Sequence, residues 1–375
     1  MKNPFLCVLI VLIFGPLYGE PLYSPSWGFK IDLPAGYDYT DGDGVNSFSF
    51  EGPLGNKFDI AVYKDTYRTM KDLVDDTNRR LKNSGDTSFF EYRDKLAALI
   101  EISFEGHTGW GLCVELEKSE TARNAPLLLA VAYGNAGADN ADLYHLSALD
   151  SIIPSRAERY YPGPITEFGY PRGEYTKMPV AGTGLEARVR EHDAEAAQAL
   201  VDREFALLRR YVVLDNWQEA WIRFYRAIYR DSWDRLLDTA FLLERHWLVS
   251  PAEENSNLAL ARNALAFVQG FEYERDLQGS DFVNLVSAAS EGRGDCDSRA
   301  MLWAIILTQA NIPTAMMVSR EHSHAMGLAD IEGQGARFEA AGTKWLVAET
   351  TAEVDIGLIA QEQSEIDSWL GVIFE

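Results

Sequence analysis

The hydrophobic and polar positions change their period partway along the chain. Between residues 27 and 134 they alternate in short runs: WGFKIDLPAGY (27–37), SFSFEGP (47–53), KFDIAVYKD (57–65), AALIEISFEG (97–106) and WGLCVELEKS (110–119). A period of two predicts half-buried strands, and DGDG at 41–44 predicts the turn joining the first two. PLLLAVAYG (126–134) is apolar throughout and suits a central strand. Two stretches break the alternation. TMKDLVDDTNRRLKNS (69–84) and DLYHLSALDSIIPS (142–155) read as helices, the second ended by Pro154. Together these elements predict an α+β domain on an antiparallel sheet over residues 20–156.

Residues 157–185 are rich in Pro, Gly and Tyr and read as a linker or extended arm, which places a domain boundary there. From residue 186 the period becomes helical. Segments 194–212, 216–232 and 233–247 repeat apolar and aromatic residues at three and four, with Asn216 and Asp231 as expected helix caps. Trp217, Trp221, Tyr225, Tyr229 and Trp233 are expected to pack these helices, and lining a groove for a polypeptide is the other reading. Another helix is expected in 256–276. After Pro313, TAMMVS, HAMGLADI, ARFEAAG and KWLVAET read as strands of an antiparallel sheet. The C-terminal domain is therefore expected to span 186–375, a helical segment followed by a helix-on-sheet unit.

Composition narrows the partners. The formal net charge is −23 at pH 7, which argues against a nucleic-acid backbone or an anionic membrane surface. At 47% hydrophobic residues, the 375-residue chain has material for two real cores. The N-terminus, Lys2 followed by PFLCVLIVLIF and then Gly19, reads as an export signal removed after residue 19. No later stretch is apolar enough to span a membrane, so a periplasmic or extracellular protein is expected. Cleavage would leave Cys113 and Cys296. Cys113 lies in an alternating strand and is expected to be a small buried hydrophobe. Cys296 lies in a glycine-bounded turn before a helix, so a disulfide between the two is not expected. His107, His145, His192 and His246 are read as ordinary core or surface residues.

The candidate chemistry is concentrated in residues 291–351. EGRGDCDSRAMLWAIIL places Cys296 at the start of a helix that stops before Pro313. A helix N-terminus offers free N–H groups and partial positive charge, which favour a thiolate and an oxyanion. Asp295 and Asp297 flank the thiol and oppose its ionisation, so they are expected to cap the helix or to bind substrate amines. A base must lie within reach of the sulfur. His322 and His324 open the second strand, two residues apart, and Glu349 ends KWLVAE in position to orient an imidazole. A metal site is disfavoured, since no HExxH or paired CxxC spacing is present. No cofactor is implied.

These motifs resemble the transglutaminase-like superfamily, the papain-related fold of many bacterial cysteine peptidases and amidases. GDCDSRA, HAMGLA and WLVAETT followed by IG carry the resemblance, over roughly residues 256–360. It implies Cys296 as nucleophile, His324 as general base and Glu349 as the orienting acid, with His322 in reserve and Gln269 or Tyr273 as a second oxyanion donor. Met326 stands where many relatives have Trp, and Glu349 where many have Asp. The N-terminal part loosely resembles the small sandwich domains of the PsbP/Mog1 type. The implied activity is thiol-mediated cleavage of an amide or peptide bond on a polypeptide or other amide substrate. A cross-linker, with an amine in place of water, and a silent binding or scaffold module are the alternatives.

Overall fold

The computed structural model describes residues 20–118, 123–247, 256–274 and 280–374. The expected export signal lies outside them. The described chain is a mixed α+β structure whose sheets are antiparallel apart from one two-residue parallel pair.

The N-terminal unit opens with a short pair, β1 (Leu22–Tyr23) and β2 (Lys30–Ile31). Then follow β3 (Asp38–Asp41), β4 (Ser47–Glu51), β5 (Lys57–Tyr63), α1 (Met70–Leu81), β6 (Thr87–Tyr92), β7 (Lys95–Phe104), β8 (His107–Glu115), β9 (Leu127–Asn135) and α2 (Ala141–Asp150). The seven-stranded sheet runs β3-β4-β5-β9-β8-β7-β6, so the apolar run of β9 is central, as its composition requires. The partner of SFSFE across the DGDG turn is Asp38–Asp41, not the apolar run around Trp27. That run instead buries Phe29 and Ile31 against Phe48, Phe58 and Leu149 on the face covered by α2. On the other face α1 sets Met70, Leu73 and Val74 against Ile100 and Cys113. Thr69 and Asp72 form a capping box that starts α1.

Residues 157–185 are not an extended arm. They contain α3 (Pro164–Gly169) and β10 (Tyr175–Val180), which pairs with β11 (Leu185–Arg190). Pro164 at the first turn suits a helix start, and Asp150 accepts from the Ile165 and Thr166 amides, capping α3 from outside.

Three helices follow: α4 (Asp193–Leu208), α5 (Trp217–Arg235) and α6 (Leu237–His246). Asn216 is the cap position of α5, although its side chain makes no capping bond. Asp231 is not a cap. It lies inside α5, buried, and takes both arms of the Arg235 guanidinium. Along α5, Arg223, Arg226 and Arg230 recur at three and four and so share a face. That face meets the end of α2. Arg223 donates to Ser147 O and Asp32 O and pairs with Glu204 on α4 at 2.7 Å. Arg230 donates to Asp150 O and Ile152 O, and Arg226 forks onto Asp32. Arg230 thus satisfies carbonyls at and just beyond the end of α2, where no further turn of helix supplies a donor. The three arginines also join the two units through a largely buried polar network.

The C-terminal unit continues with α7 (Ser256–Gln269), β12 (Glu272–Tyr273), α8 (Leu285–Glu291), β13 (Arg293–Gly294) and α9 (Cys296–Gln309). Then come β14 (Thr314–Ser319), β15 (His324–Ala329), β16 (Arg337–Ala340), β17 (Thr343–Ala348) and β18 (Leu370–Ile373). The sheet order is β16-β17-β15-β14-β18, and the C-terminal strand β18 was not foreseen in the sequence. Helix α9 is apolar nearly all round and buried along Ser298–Leu307. It packs on β14 and β15 on one side and on α6, α7 and α8 on the other. Gly327 on β15 permits this contact: a Cβ there would stand 2.5 Å from the Trp303 ring. Trp303 Nε1 also bonds Ala261 O, tying α9 to α7.

Candidate active site

Three local devices fix the turn before Cys296. Gly292 ends α8 in the left-handed conformation (φ +66°), open to glycine at least cost. Asp295 is the N-cap of α9: it accepts from the Ser298 amide, and the Ser298 hydroxyl bonds back to the Asp295 amide. Arg299, 2% exposed, donates to Gly294 O and Phe271 O and so ties the turn to the end of α7. Cys296 is then the first residue of the helix, 7% exposed, with its own amide at the helix N-terminus.

His324 is the first residue of β15, paired with Ser319 across the β14–β15 hairpin. The next amide along, that of Ala325, donates to the Cys296 sulfur. His324 Nε2 lies 2.7 Å from Glu349 Oε2. Glu349 Oε1 accepts from the amide and hydroxyl of Thr351 at 2.7 and 2.6 Å. Burial opposes the Glu349 charge, yet the bonds from His324 and Thr351 hold its carboxyl below the usual range. With Nε2 on Glu349, Nδ1 is the other imidazole nitrogen, and both His324 and Cys296 line the same cleft. Trp369, before β18, packs 5.4 Å from the His322 ring and 6.3 Å from that of His324.

The other sequence candidates fall elsewhere. His322 does not share a strand face with His324. It sits in the hairpin turn, where its amide donates to Ser319 Oγ and its Nε2 is buried without a partner. Gln269 spends its amide on Glu349 O and Val354 O, so it braces the acid's loop rather than facing the sulfur. Tyr273 lines the cleft beside Cys296. Cys113 is buried in the N-terminal sheet and, like Cys296, is unpaired. Among the described residues no group of three or more His, Cys, Asp or Glu is arranged to hold a metal.

A cleft of about 250 Å³ opens over this site. Cys296, Asp297 and His324 face Trp221, Tyr225 and Phe224 of α5 across it. Trp221 and Tyr225, one helical turn apart, carried the only sequence signal for this wall; nothing local marked Asp281 or Trp369. Asp297 Oδ1 accepts from the thiol at 3.7 Å, and the Tyr225 hydroxyl donates to the same carboxyl. The Asp297 carboxyl is pushed up to about 6 by burial and by Asp281. Burial, then Asp297 and Asp295, push the Cys296 thiol far above its ordinary range. The lowering expected from the helix N-terminus is therefore outweighed, because three carboxylates surround a desolvated sulfur. Burial and these carboxylates favour the neutral thiol.

A larger cleft, about 430 Å³, lies between the β10–β11 hairpin and α6. Its arginines are largely spent on Glu167, Asp193, Asp234 and Asp238, and it holds no nucleophile beside a base. The smaller cleft is the one with chemical potential.

No family model matches the sequence, and no curated protein matches it. One solved structure that does match is that of a "putative protease" from Parabacteroides distasonis. It shares 9% identity, and the alignment covers 89% of this chain and 72% of that one, with a TM-score of 0.23.

Proposed function

We propose that this protein is an exported thiol hydrolase that cleaves an amide or peptide bond through Cys296, His324 and Glu349. The observation that carries the reading is the 2.7 Å bond between His324 Nε2 and Glu349 Oε2, in a cleft whose floor is a helix-terminal cysteine. A carboxylate on one imidazole nitrogen fixes the tautomer and readies the other as a base.

Burial and the neighbouring carboxylates favour the neutral thiol, and deprotonation accompanies attack. His324 Nδ1 takes the sulfhydryl proton as the sulfur bonds to the carbonyl carbon. The carbonyl oxygen takes negative charge near the Cys296 amide and the α9 N-terminus. The C–N bond then breaks and the imidazolium protonates the leaving amine, leaving a thioester. Water adds with its proton passing to His324, the C–S bond breaks, and the thiol recovers that proton. An amine in place of water would give a cross-linker, but water needs no dedicated site. On this reading residues 1–19 are the export signal and the substrate is a polypeptide or other amide.

The test is digestion of a proteome-derived peptide library with new termini read by mass spectrometry, alongside labelling by a peptidyl chloromethyl ketone mixture. The reading expects new termini that vanish in Cys296→Ala, and labelling at Cys296 that falls in His324→Ala, with Cys113 as the unlabelled reference. Cleavage that persists in Cys296→Ala, or a Cys296 that takes no electrophile and cleaves nothing, would overturn it.

A further inference from the structure

We infer that the cleft takes a substrate with a cationic group, ammonium or guanidinium, next to the amide, with Trp221 and Asp297 as its recognition residues. This rests on the function proposed above and names its substrate class. Two independent observations carry it.

The first is the aromatic wall. Trp217, Trp221 and Tyr225 form a ladder along α5, with centroids 5.8 and 6.1 Å apart at tilts of 41° and 37°. Trp221 Nε1 donates to the Tyr225 hydroxyl, which fixes the two rings against each other. Ring faces attract cations through their quadrupole. One cation already uses this ladder. The guanidinium of Arg320, at the hairpin beside His324, lies 5.3 Å from the Trp217 ring centroid. The next ring inward, Trp221, lines the cleft and presents the same kind of surface to whatever enters.

The second is the placement of charge. Asp297 accepts from the thiol and from the Tyr225 hydroxyl, both neutral donors. Asp281 lines the same cleft. Among the described lining residues the permanent cation is Arg320, and it is engaged on Trp217. A cleft with an aromatic wall, a carboxylate floor and its own arginine turned to the outer ring is complementary to a positive group. A bound cation also counters the carboxylate that holds the thiol neutral, so recognition and activation of the sulfur are linked. A lysine or arginine side chain and a free α-amine share this chemistry.

The experiment is calorimetric titration of the full chain carrying Cys296→Ala, so that no turnover intrudes and binding is read apart from hydrolysis. Three tripeptide methylamides serve as probes. Acetyl-Ala-Lys-Ala carries a side-chain cation, free-amine Ala-norleucine-Ala carries a terminal one, and acetyl-Ala-norleucine-Ala is neutral. At least one cationic probe should bind about tenfold more tightly than the neutral one. Which one does so identifies the source. Asp297→Asn should erase the preference, Trp221→Leu should reduce it, and added salt should weaken it. Equal binding of all three, no binding of any, or a preference intact in both variants would overturn the inference. Hydrolysis could fail while this preference stands, or the reverse, so the two readings fall separately.

Discussion

His324 and Glu349 meet at 2.7 Å although 25 residues separate them, because β15 and β17 are neighbours and their ladder stops just short of both side chains. The last paired residues are Gly327 and Ala348. Beyond them β17 ends, while β15 runs on to His324 beside β14, and the imidazole and carboxylate reach each other past the end of the β15–β17 ladder. Glu349→Gln keeps the size and one acceptor but removes the charge that favours an imidazolium. We expect kcat/KM on any amide substrate to fall by about 10²–10⁴. Glu349→Asp should recover part of it. A Gln variant with unchanged kcat/KM would remove Glu349 from the mechanism.

Asp297 restrains the sulfur. Asp297→Asn removes the nearest carboxylate, so the thiol should ionise at lower pH. The rate of Cys296 alkylation by iodoacetamide should rise several-fold at pH 7, with its pH profile moved to lower values, while Cys113 stays inert. An unmoved profile would show that Asp297 does not set the thiol.

The same substitution predicts a pH-dependent stability. Asp297 has its folded value raised to about 6 from an ordinary 3.8. Its ionised form is therefore disfavoured by folding: there is no penalty below pH 3.8, a growing one up to pH 6 and a constant one above. Asp297→Asn should gain on the parent as pH rises from about 3.5 through 6, by on the order of 3 kcal/mol. Glu349 and Asp150 run the other way. Burial opposes their charge, but His324 and Thr351 for one, and Arg203 and Thr166 for the other, hold both carboxyls low. Their stabilisation is present above their ordinary values of 4.5 and 3.8 and is lost as acid titrates the folded forms. Melting temperature against pH for the parent and Asp297→Asn checks both signs.

At the junction of the two units, Arg223 is 5% exposed and Glu204 3%. Arg223→Met removes one of the two guanidinium groups on the buried Glu204 carboxylate, leaving Arg203 at 3.0 Å, and should cost about 3 kcal/mol in urea unfolding. Adding Glu204→Gln should restore part of it, since the buried charge that has lost a partner is then gone. A single change costing under about 1 kcal/mol would mean that water reaches the network.

Gly327→Ala sets a methyl 2.5 Å from the Trp303 ring, between a buried strand and the Cys helix. Overpacking of this kind costs about 1–3 kcal/mol. Because α9 must shift to relieve it, alkylation of Cys296 should change together with the urea midpoint. A stability loss without a change at Cys296 would show that the strain is absorbed by the indole.

What could be read from the amino-acid order is what short-range physics controls. The alternating runs became β4, β5, β7 and β8, and the apolar run became the central β9. Asp295 at the cap, Cys296 at the first helical position and an apolar helix behind them all follow from neighbours within a few residues. So does the acid at the end of KWLVAE. Amino-acid order alone failed where local composition misleads. Residues rich in Pro, Gly and Tyr became α3 and β10, since Pro164 can start a helix and Asp150, distant in sequence, caps it. Tertiary structure alone decided the rest. Only strand order brings β17 beside β15 with β16 outside, and so sets Glu349 against His324 while His322 is left in a turn. Only helix packing carries Tyr225 to Asp297, some seventy residues on. The electrostatics of the thiol followed the same rule. The helix N-terminus is local and was legible. The burial and the surrounding carboxylates are not local, and they prevail because desolvation grows with everything packed around the sulfur.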